Sequence, residues 1–200
     1  MQCRTTTFFR CLSFLIRIAP FVAARASAQR TTTAPRFEVS FTAAAHAKPI
    51  TGRLILVLSK TPQPEPRMLV SPLGPPVFGV DLDQLRPGQV AVIDNKAVGY
   101  PGSLAELPEG DYYAQAVVDV YTQVHRADGH TIWVHMNDGH IEVFQIAAGN
   151  LYSDVQRVHV GAGGTVKIAV NHVIPPRAPD EDTEWVKHVS IQSQKLTQFW

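Results

Sequence analysis

Alternating apolar and polar residues, broken by glycine and proline at intervals of about ten positions, constrain the fold of this 200-residue chain most strongly. Phe37, Val39 and Phe41 alternate with polar neighbours, which is the two-residue period of a half-buried strand. The continuously apolar run 54–58 instead predicts a central strand covered on both faces. Other strands are predicted at 77–80, 89–93, 112–124, 130–136, 141–146 and 166–170. This pattern is typical of an all-β, antiparallel sandwich.

The same alternation predicts which side chains form the core. If the apolar positions face inward, seven residues are expected to be largely buried. They are Leu54, Leu56, Ile132, Val134, Val166, Ile168 and Val170.

Three local signals predict turns rather than strands. Asn137-Asp138-Gly139 is a hairpin signal, with glycine available for a left-handed position. Ser103 and Glu106 have the spacing of a capping box, but Pro108 ends any helix within about a turn. The segment 107–112 is typical of the corner at which a tyrosine, here Tyr112, bonds back to nearby backbone. The alternative is a simple turn followed by a tyrosine that packs in the core.

The first 28 residues read as an export signal. They contain four arginines, no acidic residue, two apolar runs, and Ala26-Ser27-Ala28 as a cleavage signature. Arg17 interrupts the apolar core, and the absence of acid extends to Glu38, as in an organellar transit peptide. The cleavage signature favours export, to the periplasm or the medium. No uninterrupted apolar stretch approaches the ~20 residues of a spanning helix, so no membrane anchor is predicted.

Cleavage after Ala28 would change the composition. Both cysteines, Cys3 and Cys11, would leave, so disulfide and thiol chemistry are not expected. Four of the 18 basic residues would leave too, and the remaining 14 face 17 acidic residues for a net charge of −3. A net negative charge does not indicate the basic surface that nucleic-acid-binding proteins use.

The C-terminal part divides into a linker and a further strand. Residues 175–184 are rich in proline and acid, and alternation resumes at Trp185 and still runs at Trp200. An exposed apolar edge is an aggregation template, so a following segment is expected to cover 185–200. The predicted organisation is therefore signal peptide 1–28, disordered leader 29–36, β-sandwich 37–174, linker 175–184 and truncated strand 185–200.

Several ordered runs resemble a known family. They are GDYYAQA at 110–116, Tyr121, HRADGHTIW at 125–133, GNLYS at 149–153, QRVH at 156–159, TEWVKHV at 183–189 and IQS at 191–193. Together they are similar to the N-terminal portion of secreted bacterial enterochelin-esterase-like proteins of the α/β-hydrolase superfamily. The resemblance implies an immunoglobulin-like sandwich ahead of a hydrolase domain, whose first strand would be 185–200.

No catalytic residue of that family can be placed on this chain. A hydrolase of this type needs a G-x-S-x-G turn, and the sequence contains none. Ser153, Asp154 and His159 could be assembled on paper into a triad, but a triad is defined by geometry and Asp154 is expected to cap a turn. The chain as given is therefore predicted not to be an enzyme and to hold no cofactor.

Four histidines recur every five residues, at His125, His130, His135 and His140. Histidine is a good zinc ligand, but positions five apart on one strand face opposite sides. Only a four-residue loop would set His135 opposite His140, and a third ligand would still be needed. We therefore predict surface and hairpin histidines and no metal site.

Exposed aromatic residues offer the remaining binding signal. If Ile132 and Val134 face the core, Trp133 faces outward or toward a partner domain. Tyr121 and Trp185 are further candidates for an interface or ligand contact, because such rings stack on sugars or dock on partners. Packing against a loop or a missing domain is the simpler alternative.

Two functions remain open. One is a non-catalytic accessory sandwich that positions or shields a downstream hydrolase domain of an exported esterase. The other is a free-standing extracytoplasmic module that binds carbohydrate or protein. The sequence carries no signal for the ester, the ligand or the oligomeric state.

Overall fold

The computed structural model describes residues 35–135, 143–161 and 163–199, with the backbone alone described at Phe199. Within these ranges nearly all of the regular secondary structure is strand. They are β1 Arg36–Ser40, β2 Ile50–Ser59, β3 Val77–Leu85, β4 Ala91–Ile93, β5 Val98–Tyr100, β6 Gly110–His125, β7 Thr131–His135, β8 Leu151–Tyr152, β9 Gln156–Val160, β10 Thr165–Ala169 and β11 His172–Val173. Two 3-10 turns, Pro66–Leu69 and Leu104–Glu106, and one helix, α1 Gln194–Phe199, complete the described elements.

The strands form two sheets. The smaller has the order β10-β1-β4, and the larger the order β11-β8-β6-β2-β3-β5, with β7 and β9 also paired to β6. Among these described strands β1 and β10 pair in parallel, and every other pair is antiparallel. Side chains of both sheets meet in one core, with Phe37, Ile93 and Ile168 from the small sheet and Leu56 and Phe78 from the large one. The all-β sandwich architecture is confirmed.

The centre of the large sheet is buried on both faces. Strand β2 pairs with β3 on one side and with β6 on the other. Leu54, Leu56 and Leu58 join the core, while Ile55 and Val57 are buried on the opposite face. The continuous apolar run 54–58 therefore belongs to a strand whose two faces are both buried, as the sequence predicts.

Five of the seven predicted core residues pack in the core. Leu54, Leu56, Ile168 and Val170 are buried, and Val166 packs against the core partly buried. Ile132 and Val134, however, are only half-buried. Strand β7 pairs with 121–125 of β6, beyond the stretch 113–120 that β2 covers, so the β6–β7 hairpin extends past the two-sheet core.

The β6–β7 hairpin turns at 126–129, where Gly129 has a φ of +84°. The Arg126 N–H donates to His130 O at 2.8 Å, and the His130 N–H donates to the Asp128 carboxylate at 3.1 Å. The turn predicted at 137–139 lies outside the described residues. The strand predicted over 141–146 is wrong for its described part, because 143–147 close into turns through bonds from the Ile146 and Ala147 N–H groups to Val143 O.

The strand predicted over 185–200 is also wrong for its described part, 185–199. Residues 175–193 contain neither strand nor helix, and 194–199 form α1. A strand needs a neighbour for its backbone groups, whereas a helix bonds within itself, here from the Thr197 N–H to Ser193 O at 2.9 Å. At the other end β1 begins at Arg36, one residue before the predicted domain boundary, and the predicted signal peptide lies outside the described residues.

The two predicted local motifs within the described ranges are present. The Tyr112 hydroxyl donates to Pro108 O at 2.8 Å, which is the predicted corner at the start of β6. Ser103 and Glu106 form the capping box, with the Ser103 N–H donating to the Glu106 carboxylate at 2.7 Å.

Candidate functional site

Polar side chains are buried on the face of β6 that points away from the sandwich core. Inward-facing Ala114, Ala116 and Val118 lie in the core cluster. Gln115, Val117 and Asp119 alternate with them on the opposite face and are buried as well. We call this second surface the outer face of β6; it continues to Tyr121. Buried polar groups require partners, so the contacts of Gln115 and Asp119 define the chemistry of the face.

Asp119 ties three segments together. Its Oδ1 accepts a hydrogen bond from Asn150 Nδ2 at 3.0 Å and lies 2.6 Å from His135 Nδ1 on β7. Asn150 also donates to Phe144 O at 3.0 Å and accepts from the Val120 N–H at 2.9 Å. The carboxylate thus connects β6 with β7 and with the segment 144–150.

His135 stands beside a carboxylate, as the histidine of a hydrolase triad does. Its Nδ1 is close to Asp119 Oδ1 but not aligned for a hydrogen bond, and both ring nitrogens are buried without a hydrogen-bond partner among the described residues. A general base must reach the proton that it removes. Among the described residues, no hydroxyl is hydrogen-bonded to His135 Nε2, so this part of the chain gives the pair no nucleophile contact.

Tyr121 lies next to Asp119 on the outer face. Partial burial, and then the negative charge of Asp119, raise the pKa of the Tyr121 phenol above its ordinary value. Arg53 lies opposite Asp119 in the ladder and pairs with Asp81 of β3 at 2.8 Å. The hydrogen bond that Arg53 donates to Asp81 is also the main reason that the pKa of Arg53 is raised.

Two of the three predicted aromatic contacts share one surface. Tyr121 pairs with His135 and Gln123 with Trp133, so all four side chains project from the same face of the β6–β7 hairpin. Trp133 is 41% exposed. Trp185 lies elsewhere, in the C-terminal segment, where the residue is 86% exposed. Its backbone N–H donates to the Thr183 hydroxyl.

The predicted histidine series does not converge on one point. His125 Nδ1 bonds with the Thr131 hydroxyl at 2.9 Å, His130 Nδ1 lies 3.1 Å from Asp128, and His135 faces Asp119. His140 lies outside the described residues. In the ranges that the structure describes, no group of three or more His, Cys, Asp or Glu side chains is arranged to hold a metal ion.

Ser153, Asp154 and His159 have separate partners. The Ser153 hydroxyl is buried, accepts from the Ala116 N–H at 3.0 Å and donates to Asp154 O at 2.8 Å. The Asp154 carboxylate meets His172 Nε2 at 3.0 Å, while His159 Nδ1 meets Asp111 at 2.9 Å. None of these contacts joins the three residues into a triad.

Sequence reasoning missed a second polar cluster on the outer face. Gln115 donates to Glu65 Oε2 at 2.9 Å and to Ser153 O at 3.0 Å, and accepts from the Arg67 N–H at 3.0 Å. Arg67 bonds to Glu65 at 2.7 Å and lies over the Tyr152 ring at 4.3 Å. The hydrogen bond that Glu65 accepts from Gln115 is the main cause that lowers the pKa of its carboxyl group, and the hydrogen bond from Arg67 is the second. The sequence signal for this cluster is Gln115, a polar residue within the otherwise apolar stretch 114–118.

Comparison with known proteins adds no relative. The chain matches no protein-family model, no curated protein and no solved structure. The resemblance to enterochelin-esterase-like proteins therefore stays a prediction. Within the described part of the chain, no helix combines the length and the apolar character needed to cross a bilayer.

Proposed function

We propose that this chain is a non-catalytic accessory sandwich, of immunoglobulin-like type, in an exported esterase, where it positions or shields a downstream hydrolase domain. The corner at Tyr112 supports the immunoglobulin-like type, because the bond from its hydroxyl to Pro108 O is the contact typical of such domains. The unaligned pair of His135 and Asp119 supports a structural rather than a catalytic role.

The observation that carries the proposal is the exposure of the C-terminal segment. Behind the linker 175–184, Trp185 is 86% and Ile191 84% exposed, and Val189 and Leu196 are exposed too. Ile191 and Leu196 border a groove of about 670 Å³ with Val124 and Val134 of the β6–β7 hairpin, yet they stay mostly in water. Apolar surface left in water costs about 25 cal/mol per Å². Such a segment is typical of an interface with another domain.

The native product provides the test. An antibody raised against the sandwich should recover a polypeptide heavier than the 22.0 kDa of this chain. That polypeptide should hydrolyse p-nitrophenyl esters, whereas the purified 200-residue chain should not exceed the buffer rate. A native product no heavier than 22.0 kDa and without esterase activity would overturn the proposal.

Export is a separate part of the proposal. Ala26-Ser27-Ala28 predicts cleavage after Ala28, so N-terminal sequencing of exported material should begin at Gln29. Recovery of the protein from the cytoplasm with Met1 retained would contradict export without touching the accessory role.

A second candidate is a carbohydrate-binding module, favoured by the shared surface of Tyr121 and Trp133. Aromatic rings beside amide groups such as Gln123 suit stacking on a sugar combined with hydrogen bonding to it. Affinity electrophoresis in soluble β-glucan and xylan gels tests this candidate. If the polysaccharide retards the parent and the matched control Trp185→Ala but not Trp133→Ala, the carbohydrate-binding role is favoured over the accessory role. If the parent and both variants migrate equally with and without polysaccharide, the carbohydrate-binding role is excluded.

A further inference from the structure

A cleft of about 610 Å³ lies at one end of the sandwich. It is bounded by the end of β2, the loop before β3 and the corner before β6. Its volume is within the range of about 300–1,000 Å³ that small-molecule sites occupy. The lining is mostly apolar and includes Leu58, Leu69, Leu73, Pro76, Leu107 and Pro108.

One charged side chain, Lys60, lines this cleft. Its Nζ donates to Asp111 O at 3.1 Å and lies 3.3 Å from the centroid of the Tyr112 ring. No carboxylate of the described residues forms an ion pair with it, and the Asp111 carboxylate is occupied by Arg157 and His159. An ammonium has three N–H donors, so Lys60 keeps capacity for an anion.

The walls restrict what kind of anion fits. Pro75, Pro76 and Pro108 have no N–H, so this part of the wall cannot donate hydrogen bonds to a peptide backbone. Leu69 and Leu73 offer hydrocarbon surface, and the hydroxyls of Thr61 and Ser71 add polar groups. A single positive charge beside an apolar wall matches a ligand with one negative end and an apolar body.

We propose that this cleft binds a small monocarboxylic acid with an apolar body, as the free acid anion. The carboxylate pairs with Lys60, and the hydrocarbon lies against the leucine and proline wall. The inference is independent of the esterase proposal, because it rests on the lining and charge of a cleft that needs no second domain.

Calorimetric titration of the full chain with octanoate, and with octanamide as the uncharged analogue, tests the proposal. Octanoate should bind and octanamide should bind at least about tenfold more weakly, because a charge-assisted bond is lost. Lys60→Met keeps an aliphatic side chain over Tyr112 and should weaken octanoate binding by about tenfold or more. The matched control is Lys48→Met, an exposed lysine outside the cleft, which should bind like the parent.

A rim variant keeps the test valid if Lys60→Met does not fold. Leu73 is 99% exposed, so Leu73→Glu should leave the fold intact and weaken octanoate binding by repulsion and loss of apolar contact. Val98→Glu, at an exposed site on β5 outside the cleft, is its control. Absence of octanoate binding, equal binding of octanamide, or unchanged affinity in both Lys60→Met and Leu73→Glu would overturn the proposal.

Discussion

Alternate residues of β6 form two faces of different chemistry, an apolar inner face and a polar outer face. On the inner face Ala114, Ala116 and Val118 pack into an apolar core between the sheets. On the outer face Gln115 and Asp119 are also buried, but there hydrogen bonds connect loops to them. Burial alone therefore does not distinguish the faces. The inner face is stabilised by excluded apolar area, and the outer face by the hydrogen bonds that Gln115 and Asp119 form.

The largest effect is expected on the inner face. Leu56→Ala removes a fully buried side chain opposite Ala116 and should lower the free energy of unfolding by about 2–5 kcal/mol, because a cavity remains. Urea denaturation measures it. The exposed Val98 on β5 supplies a control, Val98→Ala, expected to change stability by less than about 0.5 kcal/mol. A loss below about 1 kcal/mol for Leu56→Ala would show that this face is not the packed core.

A smaller loss is expected on the outer face. Asp119→Ala leaves Asn150 Nδ2 without this acceptor and should cost about 1–3 kcal/mol, as for other buried unsatisfied groups. Asp81→Ala removes the exposed partner of Arg53 and should cost no more than about 1 kcal/mol. Equal losses in the two variants would mean that the outer face behaves as ordinary surface.

The Glu65 cluster gives the outer face a pH dependence. Bonds from Gln115 and Arg67 lower the pKa of Glu65, so the ionised carboxylate stabilises the folded state at and above neutral pH. This contribution is lost as the pH falls through the lowered pKa. Glu65→Gln should therefore lower the melting temperature at pH 7, and the difference from the parent should shrink in acid. Glu181→Gln, in the exposed linker, should show no such trend; a constant difference for Glu65→Gln would contradict the assignment.

The smallest effect is expected where neither face is involved. A chain ending at Pro176 loses the exposed segment 183–199 but no core residue, so its melting temperature should change by less than about 2 °C. Its solubility should rise, because exposed apolar side chains are removed. A fall of more than about 5 °C would assign the segment to the sandwich and remove the main support for an interface with another domain.

Local patterns were read correctly where residues close in sequence make the decisive contact. The capping box joins Ser103 to Glu106, and the corner joins Tyr112 to Pro108, four residues away. The burial of 54–58 on both faces likewise follows from five consecutive apolar residues. The strands expected at 141–146 and 185–200 had the right alternation but no strand partner in their described parts, and alternation alone cannot supply one.

The candidate site was predicted only in part for the same reason. Trp133 and Tyr121 were selected as exposed aromatic residues, and the β6–β7 register places them on one face. The partnership of Asp119 with Asn150 spans 31 positions, and that of Gln115 with Glu65 spans 50. No local period connects such residues.

The sequence by itself determined that this protein is β-rich, where its central strand lies and how β6 begins, because these features depend on the alternation of side chains and on turns of a few residues. The tertiary structure decided which polar residues are buried together and that the last segment is not a strand. Those outcomes depend on which distant backbone and side-chain groups come within hydrogen-bond distance, and this is set by the pairing of whole strands.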